Sequence, residues 1–285
     1  MQTFKNKIKT SVSPILTIST LERLGSLFSR KNWDVDENIN ISLFNRYANT
    51  LKTLDQSQQN FFLDLSERFI HVPVSYYVDN LIKPLATLRN EDLNANLIFS
   101  CCLPKEDIGH VKSSHTVLYQ MKGSTIKTKI LLNPNFIIED LSTLKWDDIK
   151  KKNYRIVLVD DFVGTGSTAI EAIKYVLDLF PEMDKRNICV LCIVGMKNGL
   201  KLINDFGCKT YCANIQERGI TDFFKDEDLK HATEQMEKIE SSLRKLKDEY
   251  KFGYGRSEAL VCMERCPNNT FPIYWLTKNI SPYER

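Results

Sequence analysis

The stretch YRIVLVDDFVGTGST, from Tyr154 to Thr168, limits what this chain can fold into more than any other. Ile156 to Val159 is an unbroken aliphatic run of the kind found in a strand buried on both faces. Two adjacent carboxylates, Asp160 and Asp161, stand where that strand is expected to end. Gly164, Thr165, Gly166, Ser167 and Thr168 follow, supplying a tight turn, unobstructed amides and hydroxyl donors. From Ala169 to Phe180, apolar residues at Ile170, Ile173, Tyr175, Val176, Leu177 and Phe180 predict a helix with one buried side. Strand, glycine loop and helix N-terminus together make an anion site, because free N–H groups and the positive end of the helix dipole face the loop.

The glycine spacing is not that of an ATPase P-loop, and no lysine follows the second glycine. The G-x-G-x-x-G of dinucleotide folds is absent too. The carboxylate pair just ahead of the phosphate cradle is what sets the stretch apart, and a ribose 5-phosphate offers both a phosphate and a vicinal diol to match it.

Val157 to Thr168 resembles the phosphoribosyl-pyrophosphate (PRPP) motif of type I phosphoribosyltransferases: apolar residues, two acids, two variable residues, then a small Thr/Gly-rich loop. The resemblance implies that Asp160 and Asp161 hold the ribose hydroxyls and act in catalysis. It also implies that Val163, Gly164, Thr165, Gly166, Ser167 and Thr168 hold the 5-phosphate. Mg²⁺ on the diphosphate and diol, beside Asp160 and Asp161, is the implied cofactor. In that family the loop after the first core strand handles pyrophosphate; here Pro104 to Ser114 stands in that place, with Lys105 and Lys112 as candidate charges. Purine-salvage members commonly carry a third carboxylate where this chain has Gly164, which cannot serve as a general base.

Strand-like and helix-like segments alternate around the motif. Asn96 to Leu103 is a strand candidate, followed by a helix to about Lys122 that Ser113 or Ser114 would cap. Thr128 to Leu132 reads as a strand ended by Asn133-Pro134-Asn135. Trp146-Asp147-Asp148 ahead of Lys150-Lys151-Lys152 reads as a solvated surface. Ile188 to Val194 is a strand, Gly199 to Asp205 a helix, and Lys209 to Ile215 another strand. This order predicts an α/β fold with a right-handed parallel sheet and flanking helices, of the type I phosphoribosyltransferase kind. Ligands of such sheets sit at the carboxyl ends of the strands.

Three segments are expected: a helical N-terminal subdomain over residues 1–95, the α/β core over 96–225, and a long helix with a tail over 226–285. Residues 1 to about 33 are weakly patterned. Leu43, Phe44, Tyr47, Leu51 and Leu54 follow helix spacing, and Asp55 or Ser57 offers a restart. The next helix carries Phe61, Phe62, Leu65, Phe69 and Ile70 and stops near Val72-Pro73. A third spans about Tyr76 to Leu88, interrupted at Pro84. His71 reads as a helix-end or packing residue. In Asp226 to Tyr250, Leu229, Ala232, Met236, Ile239, Leu243, Leu246 and Tyr250 repeat at alternating spacings of three and four. That seam suits either a homodimer or partner helix, or a surface helix lying on its own domain. In the tail, Arg256 and the Asn268-Asn269 pair are polar groups that can close over the sugar or fix a turn.

Lys+Arg of 39 against Asp+Glu of 36 leaves a net charge of +3, which argues against wholesale nucleic-acid binding. No apolar run approaches the ~20 residues of a membrane helix. Met1 to Thr10 has Lys5, Lys7 and Lys9 but no apolar core, so no secretory signal is expected and a cytoplasmic location with reduced thiols is. Cys189, Cys192, Cys208 and Cys212 approach a structural zinc spacing. However, Cys189 and Cys192 lie three apart on an expected strand and so point to opposite faces. Cys262 and Cys266 read as ordinary thiols.

As a whole, the layout resembles the phosphoribosyltransferase-like proteins of bacterial conflict systems, which sit beside antiphage modules, retrons among them. The Pro-Asn-Asn-Thr-x-Pro stretch and the Trp275 of the tail belong to that likeness. It implies an effector that binds PRPP or a nucleotide and transfers or cleaves a glycosyl bond, with a retron RNA–protein complex as a partner. The alternative is a non-catalytic module that senses PRPP or a nucleotide for a partner protein. A plain salvage enzyme fits less well because of Gly164 and the added segments.

Overall fold

The computed structural model describes residues 16–33, 42–91, 96–130, 137–151 and 154–285. In chain order the helices and strands are α1 (Ile18–Lys31), α2 (Leu43–Leu51), α3 (Gln56–Glu67), β1 (Ile70–His71), α4 (Tyr77–Glu91), β2 (Asn96–Cys101), α5 (Ser113–Gln120) and α6 (Ser124–Ile130). They continue with α7 (Trp146–Lys151), β3 (Tyr154–Val163), α8 (Ser167–Leu179), β4 (Ile188–Met196), α9 (Lys197–Asp205), β5 (Lys209–Gln216), α10 (Asp226–Ser242) and β6 (Val261–Cys262). Strands β2-β3-β4-β5 form a parallel sheet in that order, with Val157 opposite both Phe99 and Cys189.

The aliphatic run of β3 is buried on both sides because the sheet carries helices on both. Val157 and Val159 pack with Tyr77 and Leu81 of α4 and with Val117 of α5. Ile156 and Leu158 face the other way, toward Ala172, Ile173 and Val176 of α8. This is the period-two alternation of a strand, with each face closed by a crossover helix. The parallel α/β architecture expected from the sequence is the one observed.

Helices α1 to α3 begin where their caps dictate. Thr17 and Ser42 accept the N–H groups of Thr20 and Asn45, and Asp55 forms a capping box with Gln58. Their apolar sides do not pack on the sheet. Leu24, Phe28, Tyr47, Phe62 and Phe69 share a core with Met236, Phe271, Tyr274 and Tyr283 from the far end of the chain. Parallel pairing of β1 with β6, Ile70 opposite Val261, stitches the two ends together.

Several sequence expectations need correction. Helix α1 forms in a stretch that reads as weakly patterned. Helix α3 ends at Glu67, so Phe69 and Ile70 lie beyond it, and Ile70 enters β1. Helix α4 runs through Pro84, which is buried, without stopping there. Residues 128–130 belong to α6 and not to a strand, while Leu131 to Asn135 fall outside the described residues, as do Lys152 and Met1 to Thr10. Helix α5 ends at Gln120, and its cap position is Lys112. Neither serine caps it; instead the His115 ring reaches back to the Lys112 backbone, its Nδ1 3.1 Å from the Lys112 amide nitrogen.

Strand β3 continues through both carboxylates to Val163. Helix α10 stops at Ser242, leaving Leu243, Leu246 and Tyr250 outside it. Its Ala232, Met236 and Ile239 are buried in the core that α1 to α3 share with the tail, so this part of the seam is filled from within the chain. No helix among the described residues is long and apolar enough to cross a membrane.

Candidate functional site

The glycine loop between β3 and α8 cradles a cavity of about 300 Å³ at the carboxyl end of the sheet. Gly166 occupies the N-cap of α8 with φ of 84°, a left-handed conformation that glycine adopts without strain. Unlike α1, α2 and α3, this 13-residue helix has no side-chain hydrogen bond from its N-cap residue. Its first amide, that of Ser167, makes a long 3.4 Å bond to the Thr165 hydroxyl, and the positive end of the helix faces the cavity. The Thr165 and Ser167 hydroxyls meet at 2.7 Å beside it, and Thr168 also lines the cavity. Val163, although buried, contributes to the same wall.

Close packing explains the glycines. A side chain at Gly166 would strike the Gly199 carbonyl, and one at Gly199 would strike the Gly164 carbonyl. A side chain at Gly164 would run into the carboxamide of Asn269. Gly164 is thus overlaid here by the tail. Asn269 is held there by donating to the Ser257 hydroxyl at 2.8 Å and the Tyr254 carbonyl at 3.2 Å. Tyr254, Asn268 and Asn269 form the roof of the cradle.

Strand alternation separates the two carboxylates. Asp160 lines the cradle cavity, and its Oδ1 accepts the Asp161 N–H at 2.9 Å and the Ser113 hydroxyl at 3.4 Å. Burial, and next the charge of Asp161, push the Asp160 carboxyl well above the usual carboxylate range. Asp161 is buried on the other face, where its Oδ2 accepts the Tyr77 hydroxyl at 2.9 Å. That hydroxyl in turn accepts the Glu264 N–H at 3.2 Å, linking β3, α4 and the tail. Tyr77 gives no sequence signal for this role; it falls on an ordinary apolar helix face.

The other expected site residues lie apart. Arg256 lines a second cavity of about 340 Å³ that shares the Gly164-Thr165 wall with the cradle, and its guanidinium stacks 4.5 Å from the Phe252 ring. Lys197, Arg218 and Asp222 line that cavity too and were not singled out by the sequence. Lys112 pairs with Asp107 at 2.6 Å, and Lys105 is exposed on a 3₁₀ turn; neither lines the cradle. Cys189 and Cys192 pack in opposite faces of the sheet, as alternation requires. Among the described residues no group of three or more His, Cys, Asp or Glu is placed to hold a metal.

Glu240 of α10 supports the loop that roofs both cavities. Its Oε1 accepts the N–H of Phe252, whose φ is +58°, and its Oε2 is buried with no partner among the described residues. Burial pushes this carboxyl up to about 7, against the opposing pull of the Phe252 N–H and of Arg256. Because the folded value lies above the unfolded one, the neutral form is the stable one. Stability is therefore expected to fall as pH rises from about 4.5 through 7, by ~3 kcal/mol in total. Urea midpoints between pH 5 and 8 test this: Glu240→Gln should flatten the slope, and an unchanged slope would refute the assignment.

Comparison with known proteins decides the family. The model of the PRTase-CE family matches residues 35–284. The chain belongs to the PRTase-CE family. It is thus phosphoribosyltransferase-like. No curated protein matches it. Among solved structures, orotate phosphoribosyltransferase from Aeropyrum pernix is similar at 12% identity and a TM-score of 0.31, over 75% of this chain and 99% of that one. The adenine phosphoribosyltransferase (APRTase) of Giardia lamblia, complexed with 9-deazaadenine, is similar at 8% identity and a TM-score of 0.30, over 48% and 79%.

Proposed function

We propose that this PRTase-CE chain binds the ribose 5-phosphate part of PRPP or of a nucleotide at the cradle and acts at the anomeric carbon. The observation that carries the reading is the N-terminus of α8, whose N-cap is a glycine with no side chain and which opens with Gly164 to Gly166 on the cavity that Asp160 also lines. The amides and the Thr165, Ser167 and Thr168 hydroxyls hold the phosphate, and Asp160 orients the sugar hydroxyls. Asp161 acts through Tyr77 by fixing the strand end.

Mg²⁺ fits this arrangement as an ion carried largely by water and diphosphate oxygens, with Asp160 the one carboxylate among the residues lining the cavity. It would neutralise charge on a departing diphosphate. We further propose, from the likeness of motif and tail to conflict-system proteins, that the activity serves an antiphage effector in the cytoplasm, with a retron RNA–protein complex as partner.

Calorimetric titration with PRPP and Mg²⁺ tests the site. The chain should bind, Asp160→Asn should weaken binding about tenfold or more, and Asp161→Asn should lower stability with a smaller effect on affinity. Equal affinity of all three proteins would sink the assignment of Asp160. A second reading, sensing without turnover, draws on one observation: with glycine at 164 and Asp161 tied to Tyr77, the motif leaves Asp160 alone as its carboxylate on the cavity. Release of pyrophosphate or base in the presence of candidate acceptors separates the two.

A further inference from the structure

A larger cavity, of about 410 Å³, lies at the carboxyl end of β2 on the face covered by α8. It shares no lining residue with the cradle and falls within the ~300–1,000 Å³ of small-molecule sites. Leu103, Leu141, Leu158 and Val176 give it apolar walls, and the rings of His110, His115 and Tyr175 stand around them. Its charged lining residues are Glu139 and Asp140, with no lysine or arginine.

That chemistry does not suit the diphosphate expected of the loop after the first core strand. Two carboxylates repel phosphate, and Lys112 is spent on Asp107. What the walls offer is an apolar slot flanked by rings, with acceptors at one edge. The His115 Nδ1 is taken up by its own turn, 3.1 Å from the Lys112 amide nitrogen and 3.3 Å from the Lys112 carbonyl oxygen, so Nε2 is the ring atom left to meet a ligand, as donor or acceptor according to tautomer. A planar heterocycle with exocyclic amino groups and ring nitrogens satisfies both edges. A simple polyamine would meet the carboxylates but leave the apolar walls and the rings without a flat partner.

The loop over the cavity carries a second sign of a ligand. Ile108 and Val111 are 42% and 91% exposed, although they line an apolar cavity. Gly109 between them takes φ of 84°, which lets the loop turn. Two residues further on, Ser113 bonds to Asp160, so this loop also borders the cradle's carboxylate.

We infer that the Glu139–His115 cavity binds an amino-bearing nucleobase or its nucleoside, with Glu139 and Asp140 accepting from the amino group and Ile108 and Val111 covering the ring. The site stands independently of what the cradle holds. The test is calorimetric titration of the full chain with adenosine, uridine and pyrophosphate, repeated on Glu139→Lys and Tyr175→Ala, with thermal melts to confirm folding.

Adenosine should bind, uridine about tenfold more weakly, and Glu139→Lys should lower adenosine affinity about tenfold or more while leaving PRPP binding unchanged. Tyr175→Ala, which removes one ring and keeps the charges, should weaken both nucleosides alike. Absence of adenosine binding, or equal adenosine affinity in the wild type and Glu139→Lys, would overturn the inference. Failure of the cradle reading shows differently, as absence of PRPP binding to the wild-type chain.

Discussion

A Gly166→Val chain is expected to lose PRPP binding altogether and to unfold at a lower urea concentration. Valine is β-branched, and φ of 84° is a conformation such residues essentially do not adopt. Its Cβ would also meet the Gly199 carbonyl oxygen at 2.6 Å, a backbone atom that cannot step aside as a side chain can. Backbone strain of ~1–2 kcal/mol and overpacking of ~1–3 kcal/mol act together. To relieve them, the loop must rotate, which turns the α8 amides away from the cradle. Calorimetry and urea titration read the two effects separately. Retention of wild-type PRPP affinity would show that the amides at this helix end are not the phosphate site.

The second large effect is expected far from the cradle. Tyr274 is fully buried, its ring 4.4 Å from that of Phe69 and 5.0 Å from that of Phe62, and its hydroxyl 3.0 Å from that of Ser66. Tyr274→Ala should cost about 3–5 kcal/mol, as large aromatic truncations in cores do. Tyr274→Phe should cost only about 1 kcal/mol for the lost hydrogen bond. The alanine variant should also weaken PRPP binding, because the tail that carries Asn268 and Asn269 is anchored through this ring. A urea midpoint shift worth less than about 1 kcal/mol for Tyr274→Ala would mean that the tail is held elsewhere.

The sheet and the cradle were legible in the sequence because both are local. The run from Ile156 to Val159, the glycines at 164 and 166, and the apolar stripe from Ala169 to Phe180 each declare themselves within a few residues. The division of the carboxylates was not, since it depends on β3 continuing past Asp160, and a strand's end is set by its neighbours. Residues 128–130 misled for a similar reason: short β-branched runs suit strand and helix alike, and α6 is decided by its packing, with Ile126 fully buried. The roof was half legible. The Asn268-Asn269 pair stood out as polar residues in a turn, but nothing local says that Asn269 lies over Gly164. The cavity at Glu139 and His115 is assembled from four separate segments, and no motif marks it.

The pairing of β1 with β6, and the core that α1 to α3 share with the tail, place a condition on how the protein comes into being. The hydroxyls of Ser66 and Tyr274 that meet in that core are separated by 208 positions along the chain. During synthesis from the N-terminus, helices α1 to α3 emerge with an apolar side that lacks this cover until the stretch from Met236 to Tyr283 has followed them off the ribosome. The sheet and its glycine loop come out in between and can form from neighbouring segments, but without Tyr254, Asn268 and Asn269 above them. A chain not yet extended through Asn269 therefore carries a cradle without its roof, and the covered site exists only once that stretch has joined the fold.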